Sequence, residues 1–113
     1  MRFVKTNLLA ASLTLIAGTA MAQTPVKIGM VTTLSGPGGY LGEDVRDGFQ
    51  LAIDAEGGKL GGVPVTVTVE DDALKPGQGK QIAERYIKNE NMKIVTGIIF
   101  SNVAGAVVPL GVR

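Results

Sequence analysis

Val26-Lys27-Ile28-Gly29-Met30-Val31-Thr32-Thr33-Leu34, running straight into Ser35-Gly36-Pro37-Gly38-Gly39, is the stretch that decides the fold. A β-branched and apolar run with Pro25 before it and a Gly/Pro cluster after it is the pattern of a strand that ends in a loop. Beyond the loop the period changes. Val45, Phe49, Ala52 and Ile53 recur at helical spacing while Asp44, Arg46, Asp47 and Gln50 take the other faces, which predicts one amphipathic helix from about Glu43 to Glu56.

Downstream the alternation continues. Gly57-Gly58-Lys59-Leu60-Gly61-Gly62 turns the chain, and Val63, Val65, Val67 and Val69 then alternate with Pro64, Thr66, Thr68 and Glu70, a period of two that predicts a second strand. Glu70-Asp71-Asp72 ends it and Lys75-Pro76-Gly77 forms a loop. Ile82, Ala83, Tyr86 and Ile87 give a second helical stripe from about Gln78 to Asn89. The nearly unbroken apolar run from Lys93 to Phe100 predicts a third strand covered on both faces. Ser101 and Asn102 suit a helix N-cap, Val103 to Val108 begin a third helix, and Pro109 is expected to end or kink it. The order β-α-β-α-β-α predicts an α/β fold built on a mostly parallel sheet with right-handed crossovers.

At the N-terminus, Arg2 and Lys5 precede the apolar run Leu8 to Ala17, and Ala20-Met21-Ala22 follows. That pattern predicts a signal peptide over residues 1–22, cut after Ala22; an apolar core of ten residues falls well short of the roughly 20 that span a bilayer. The remaining 91 residues keep nine of the eleven Lys and Arg against ten Asp and Glu, a net charge of −1. This disfavours a nucleic-acid partner, which needs a concentrated basic face. The absence of Cys excludes disulfides and a lipid anchor on Cys, and the absence of His removes the commonest general base and metal ligand. The expectation is therefore a periplasmic, exported protein that is not an enzyme and uses no cofactor.

In an open α/β sheet, ligands bind beyond the carboxyl ends of the strands, so three loops are candidates: Ser35 to Gly42, Asp71 to Gly77, and Phe100 to Val103. A helix opening on Ser101-Asn102 presents free N–H groups and a positive dipole end, which suit a carboxylate. Either residue can instead cap its own helix, or one can cap while the other faces a ligand. Tyr40 can cover a ligand or pack on the first helix. The first loop does not match a dinucleotide fingerprint, because Leu41 stands where the third Gly is required, and Gly77-Gln78-Gly79-Lys80-Gln81 lacks the flanks of a P-loop. Three adjacent acids do not converge as a calcium loop does, so Glu70-Asp71-Asp72 reads as a solvated strand end with a turn-capping Asp, and no metal is expected.

Several of these pieces together resemble the leucine/isoleucine/valine-binding proteins of ABC importers: Val26 to Gly29, Leu34-Ser35-Gly36-Pro37, Gly42 and Gly48, the Gly57 to Gly62 turn with the valine strand, the acidic loop through Pro76, and Gly97 to Ser101. The match runs over residues 26–108. The resemblance implies a type I periplasmic-binding fold, of which these are the first three β-α units of a doubly wound lobe; residues 23–113 would be part of that N-terminal lobe, with the opposing lobe outside the sequence. It also implies a small-molecule ligand, an amino acid or organic carboxylate, and an ABC permease as partner. By the same resemblance, Phe100, Ser101 and Asn102 match the place that holds a ligand carboxylate, and Tyr40 or Leu41 a first-loop position lining the cleft. Some branches carry a smaller residue where Phe100 stands, which leaves aliphatic amino acids and aromatic or other organic acids both open. With half the contacts outside residues 23–113, weak or no binding by this stretch is expected. A ligand-sensing receptor domain and a doubly wound enzyme are the competing readings of the same alternation.

Overall fold

The computed structural model describes residues 23–111; the leader expected over residues 1–22 lies outside them. The chain forms β1 (Val26–Thr32), α1 (Gly39–Ala55), β2 (Lys59–Leu60), β3 (Val63–Asp71), α2 (Pro76–Lys88), β4 (Ile94–Thr96) and α3 (Ser101–Gly111). The sheet order is β2-β3-β1-β4. β1 lies parallel to β3, with Val26 opposite Val65 and Thr32 opposite Asp71, and parallel to β4, with Ile28 opposite Ile94 and Met30 opposite Thr96. The chain thus winds from β1 outward to β3, then crosses back over β1 to β4 on its other side. That is the doubly wound arrangement the alternation predicts.

β1 is central, and its alternate side chains serve two layers. Gly29 and Val31 face α2 and α3: a Cβ on Gly29 would fall 2.2 Å from Tyr86 Cδ2, so the missing side chain is the space the Tyr86 ring occupies. Around Val31 pack Ile82, Ala83, Tyr86, Met92, Val103 and Val107, a buried cluster that holds α2 and α3 to the sheet. Ile28 and Met30 point to the opposite face, where α1 lies and Ile53 is its one large buried side chain. Leu51 and Val45 of α1 stay exposed, so this second layer is the thinner one.

Several expectations are corrected. α1 begins at Gly39 rather than Glu43, and the Gly57–Gly62 turn contains a short strand, β2, that pairs antiparallel with β3 through Lys59 and Pro64. The third strand is only Ile94–Thr96 and is not covered on both faces; Ile94 is 47% exposed, because β4 is the sheet edge and pairs only through β1. Pro109 does not end α3, which continues to Gly111. A proline near a C-terminus breaks only one backbone bond, and the turns before it are anchored by Val103 and Val107.

Candidate functional site at the ends of beta1 and beta4

Where β1 stops, the chain is fastened sideways. Thr33 Oγ1 donates to Asp72 Oδ1 at 2.5 Å, Leu34 N–H donates to Asp71 Oδ1 at 2.8 Å, and Asp72 N–H donates to Thr32 O at 3.0 Å. The same carboxylates also hold their own turn: Asp71 Oδ1 accepts from Ala73 N–H and Asp72 Oδ1 from Leu74 N–H. Those bonds steady two successive left-handed residues, Ala73 at φ 50° and Leu74 at φ 59°, a conformation that costs an L-residue roughly 1–2 kcal/mol. Burial pushes the Asp71 carboxyl up, but hydrogen bonds from the Ser35 side chain and from the Leu34 and Ala73 N–H groups outweigh it, and its pKa lies below the usual 3.8.

The acidic loop therefore caps its turn as the sequence suggests, but it is not a solvated strand end. Asp72 is 0% exposed, folded under the start of α2, where its Cβ lies 3.5 Å from the position a Cβ on Gly79 would take. No spacing rule marks an acidic side chain that turns inward to brace a neighbouring loop, because its partner Thr33 lies 39 residues away in the chain.

Strand order narrows the candidate loops from three to two. β1 leads to β3 on one side, while β4 lies on the other, so the topological switch point opens between the carboxyl ends of β1 and β4. The loop after β1 and the loop after β4 flank that crevice. The Asp71 to Gly77 loop lies across β1 from it and acts as a brace.

The two flanking loops touch. Gly97, at φ 90°, lets the chain pass close over β1, since a Cβ there would fall 2.5 Å from Met30 Cγ. Phe100 then reaches Gly38: a Cβ on Gly38 would meet Phe100 Cζ at 2.7 Å. On the loop-one side, Gly39 and Gly42 press α1 onto the end of β1, with hypothetical Cβ positions 2.7 Å from Leu34 O and 1.8 Å from Thr33 O. Gly42 thus supplies, one residue later, the close helix packing that Leu41 cannot.

Each anticipated site residue can now be placed. Phe100 is half-buried with its ring against Gly38. Tyr40 is not a loop residue but sits in the first turn of α1, 62% exposed, and Leu41 beside it is half-buried. Ser101 and Asn102 are exposed at the start of α3, but neither is its N-cap. Ala104 N–H donates to Phe100 O at 3.0 Å, so Phe100 holds the cap position and Ser101 and Asn102 are the first two helical residues. The free N–H groups and positive dipole end of α3 lie at this first turn. A separate concavity lies on the outer helical layer between α2 and α3, lined by Glu84, Ile87, Lys88 and Leu110.

A profile of periplasmic binding proteins matches residues 25–111. The chain belongs to the periplasmic binding protein family. Among its curated relatives in this family, the Leu/Ile/Val-binding protein BraC3 of Rhizobium johnstonii is 34% identical over 97 residues, covering 80% of this chain and 26% of that protein. Solved family members share the type I fold: an ABC transporter substrate-binding protein from Sphaerobacter thermophilus is 38% identical with a TM-score of 0.71, covering 77% of this chain and 24% of that one. A solute-binding protein of an ABC transporter from R. palustris, in complex with benzoate, is 30% identical with a TM-score of 0.72 and the same coverage. A leucine-binding protein from Thermotoga maritima is 25% identical with a TM-score of 0.68, covering 75% of this chain and 24% of that one. This periplasmic-binding chain spans about a quarter of the length of the relatives it matches.

Proposed function

We propose that residues 23–111 form one wall of the ligand cleft of an exported solute-binding component of an ABC importer, and that the ligand is an amino acid or related small organic acid. The observation that carries this reading is the strand order β2-β3-β1-β4, which puts the switch point between β1 and β4, with α3 starting just after β4. Ser101 and Asn102 would meet the carboxylate there, and the Phe100 ring, laid on Gly38, would give the flat apolar floor. Tyr40 and Leu41 would line the edge contributed by α1. No bond is made or broken in this reading, and the family's names, all of binding or solute-binding proteins, support transport over a receptor domain or an enzyme. Residues 1–22 would direct export to the periplasm, and a membrane permease would receive the ligand.

The Phe100 floor favours an aromatic acid over a branched aliphatic one, in keeping with the benzoate found on the R. palustris relative. A single wall provides contacts on one side only, so binding by residues 23–113 is expected to be weak. The test is an NMR titration of the chain with leucine, valine, phenylalanine and benzoate. The expected result is a weak, saturable shift confined to the amides of Ser101, Asn102 and Val103 and to the Phe100 and Tyr40 rings, largest for benzoate. Shifts scattered elsewhere, or none at the start of α3, would sink the site assignment.

A further inference from the structure

Three of the four residues from Gly36 to Gly39 are glycine, and each answers to a different neighbour. Gly36 stands at φ 73°, in the left-handed region that favours glycine, with nothing within 4 Å of its hypothetical Cβ. Gly39 is pressed on backbone, 2.7 Å from Leu34 O. Gly38 has neither reason. Its φ of −95° and ψ of 0° are open to non-glycine residues, and it is the N-cap of α1, where Ser, Asn or Asp would add a side-chain bond that this helix lacks. The three atoms nearest to a Cβ on Gly38 all belong to the Phe100 ring: Cζ at 2.7 Å, Cε2 at 3.1 Å and Cε1 at 3.9 Å.

Those atoms are the far edge of one flexible side chain, so a side chain at position 38 would move the ring rather than the backbone. The contact joins two helix starts. Gly38 O accepts from Leu41 N–H at 3.1 Å as α1 begins, and Phe100 O accepts from Ala104 N–H at 3.0 Å as α3 begins. These are the helices that follow the two loops flanking the β1/β4 switch point. Phe100 is half-buried, so part of it stays open on the side away from Gly38. Aromatic rings pack on one another in offset or edge-to-face arrangements, so the seat of the Phe100 ring decides whether a flat group finds a partner there.

We infer that Gly38 is a positioning residue that sets the ligand class: by carrying no side chain it seats the Phe100 ring against loop one, and the ring so placed selects aromatic acids over branched aliphatic ones. This role rests on the reading that Phe100 meets the ligand.

Gly38→Ser and Gly38→Ala both add the Cβ, but only the serine also caps α1, so their thermal melts should differ while their ligand preferences agree. In NMR titrations of the purified chain, either substitution is expected to weaken benzoate by about three- to tenfold, the worth of one aromatic contact, and to change leucine by less than about twofold. Nuclear Overhauser contacts from the Gly38 α-protons to the Phe100 ring are expected in the unliganded chain, and the ring resonances should shift in both variants. Phe100→Leu removes the ring atoms that face Gly38. Adding Gly38→Ser to it should therefore leave the benzoate-to-leucine ratio where Phe100→Leu alone puts it. A purely structural Gly38 would weaken both ligands alike in either background, which overturns the assignment. So does an unchanged ratio in variants whose Phe100 ring has moved. Failure of the ligand reading itself looks different: the unsubstituted chain then shows no saturable shift at Ser101 to Val103 with either ligand, and the selecting role of Gly38 falls with it.

Discussion

Gly42 and Gly48 lie six residues apart on α1 and are there for different reasons. A Cβ on Gly42 would fall 1.8 Å from Thr33 O, a backbone atom that cannot yield without moving the end of β1. A Cβ on Gly48 meets nothing within 4 Å. Gly42→Ala should therefore destabilise the chain by roughly 1–3 kcal/mol, the range for forced overpacking. Gly48→Ala should stabilise it by about 1 kcal/mol, the helix-propensity difference. Chemical denaturation of both variants checks the pair; equal effects would mean that α1 does not press on β1 at Gly42. At this scale the sequence was only partly legible. Glycine content marked the first loop, but not which glycine the packing requires, because close approach depends on what lies across the gap. The inward turn of Asp72 was hidden for the same reason: its partner, Thr33, is 39 residues away in the chain.

Element by element, strand and helix types were readable because each carries a clear period, whereas boundaries and coverage were not. The valine alternation of Val63 to Val69 needed no tertiary context. Lys93 to Phe100 looked like a buried strand because its apolar run lacks a polar face, yet only Ile94–Thr96 pairs, since Gly97 turns the chain across β1. The stripe of Val45, Phe49, Ala52 and Ile53 gave α1 correctly, but of these only Ile53 is fully buried. α2 and α3, by contrast, share the main buried cluster with Val31. Protection against amide exchange tracks buried apolar contact, so amides in the middle of α2 should exchange much more slowly than those of α1 beyond Gly48. Native-state hydrogen exchange read residue by residue checks this. Equal protection in both helices would show that the α1 face is covered in solution.

For the whole molecule, the wall of the crevice is kept in shape by carboxylates, which ties its integrity to pH. Asp71 is ionised below its ordinary range because Ser35, Leu34 and Ala73 donate to it, and Glu70 is likewise lowered, its burial being outweighed by the hydrogen bonds of Arg85 and Tyr86. A carboxyl whose folded-state pKa is depressed contributes stability that is fully present above its unfolded value, and this is lost as pH falls through the folded value. Thermal stability should thus hold from neutral pH down to about the ordinary Asp and Glu values of 3.8 and 4.5, then fall. The two groups separate under substitution. Glu70 is bound mainly by Arg85 in an ion pair that is more than one-third exposed and is screened by salt. Asp71 is bound by N–H and O–H donors that join the β1 and β3 loops. Asp71→Asn should lower the melting temperature at pH 7, flatten its decline below pH 3.8 and speed exchange of the Leu34 amide at the mouth of the crevice. Glu70→Gln should do less to all three, and its effect should shrink in high salt. If Asp71→Asn leaves both the acid slope and the Leu34 exchange rate unchanged, the first loop is positioned by glycine packing alone and the acidic brace contributes nothing to the site.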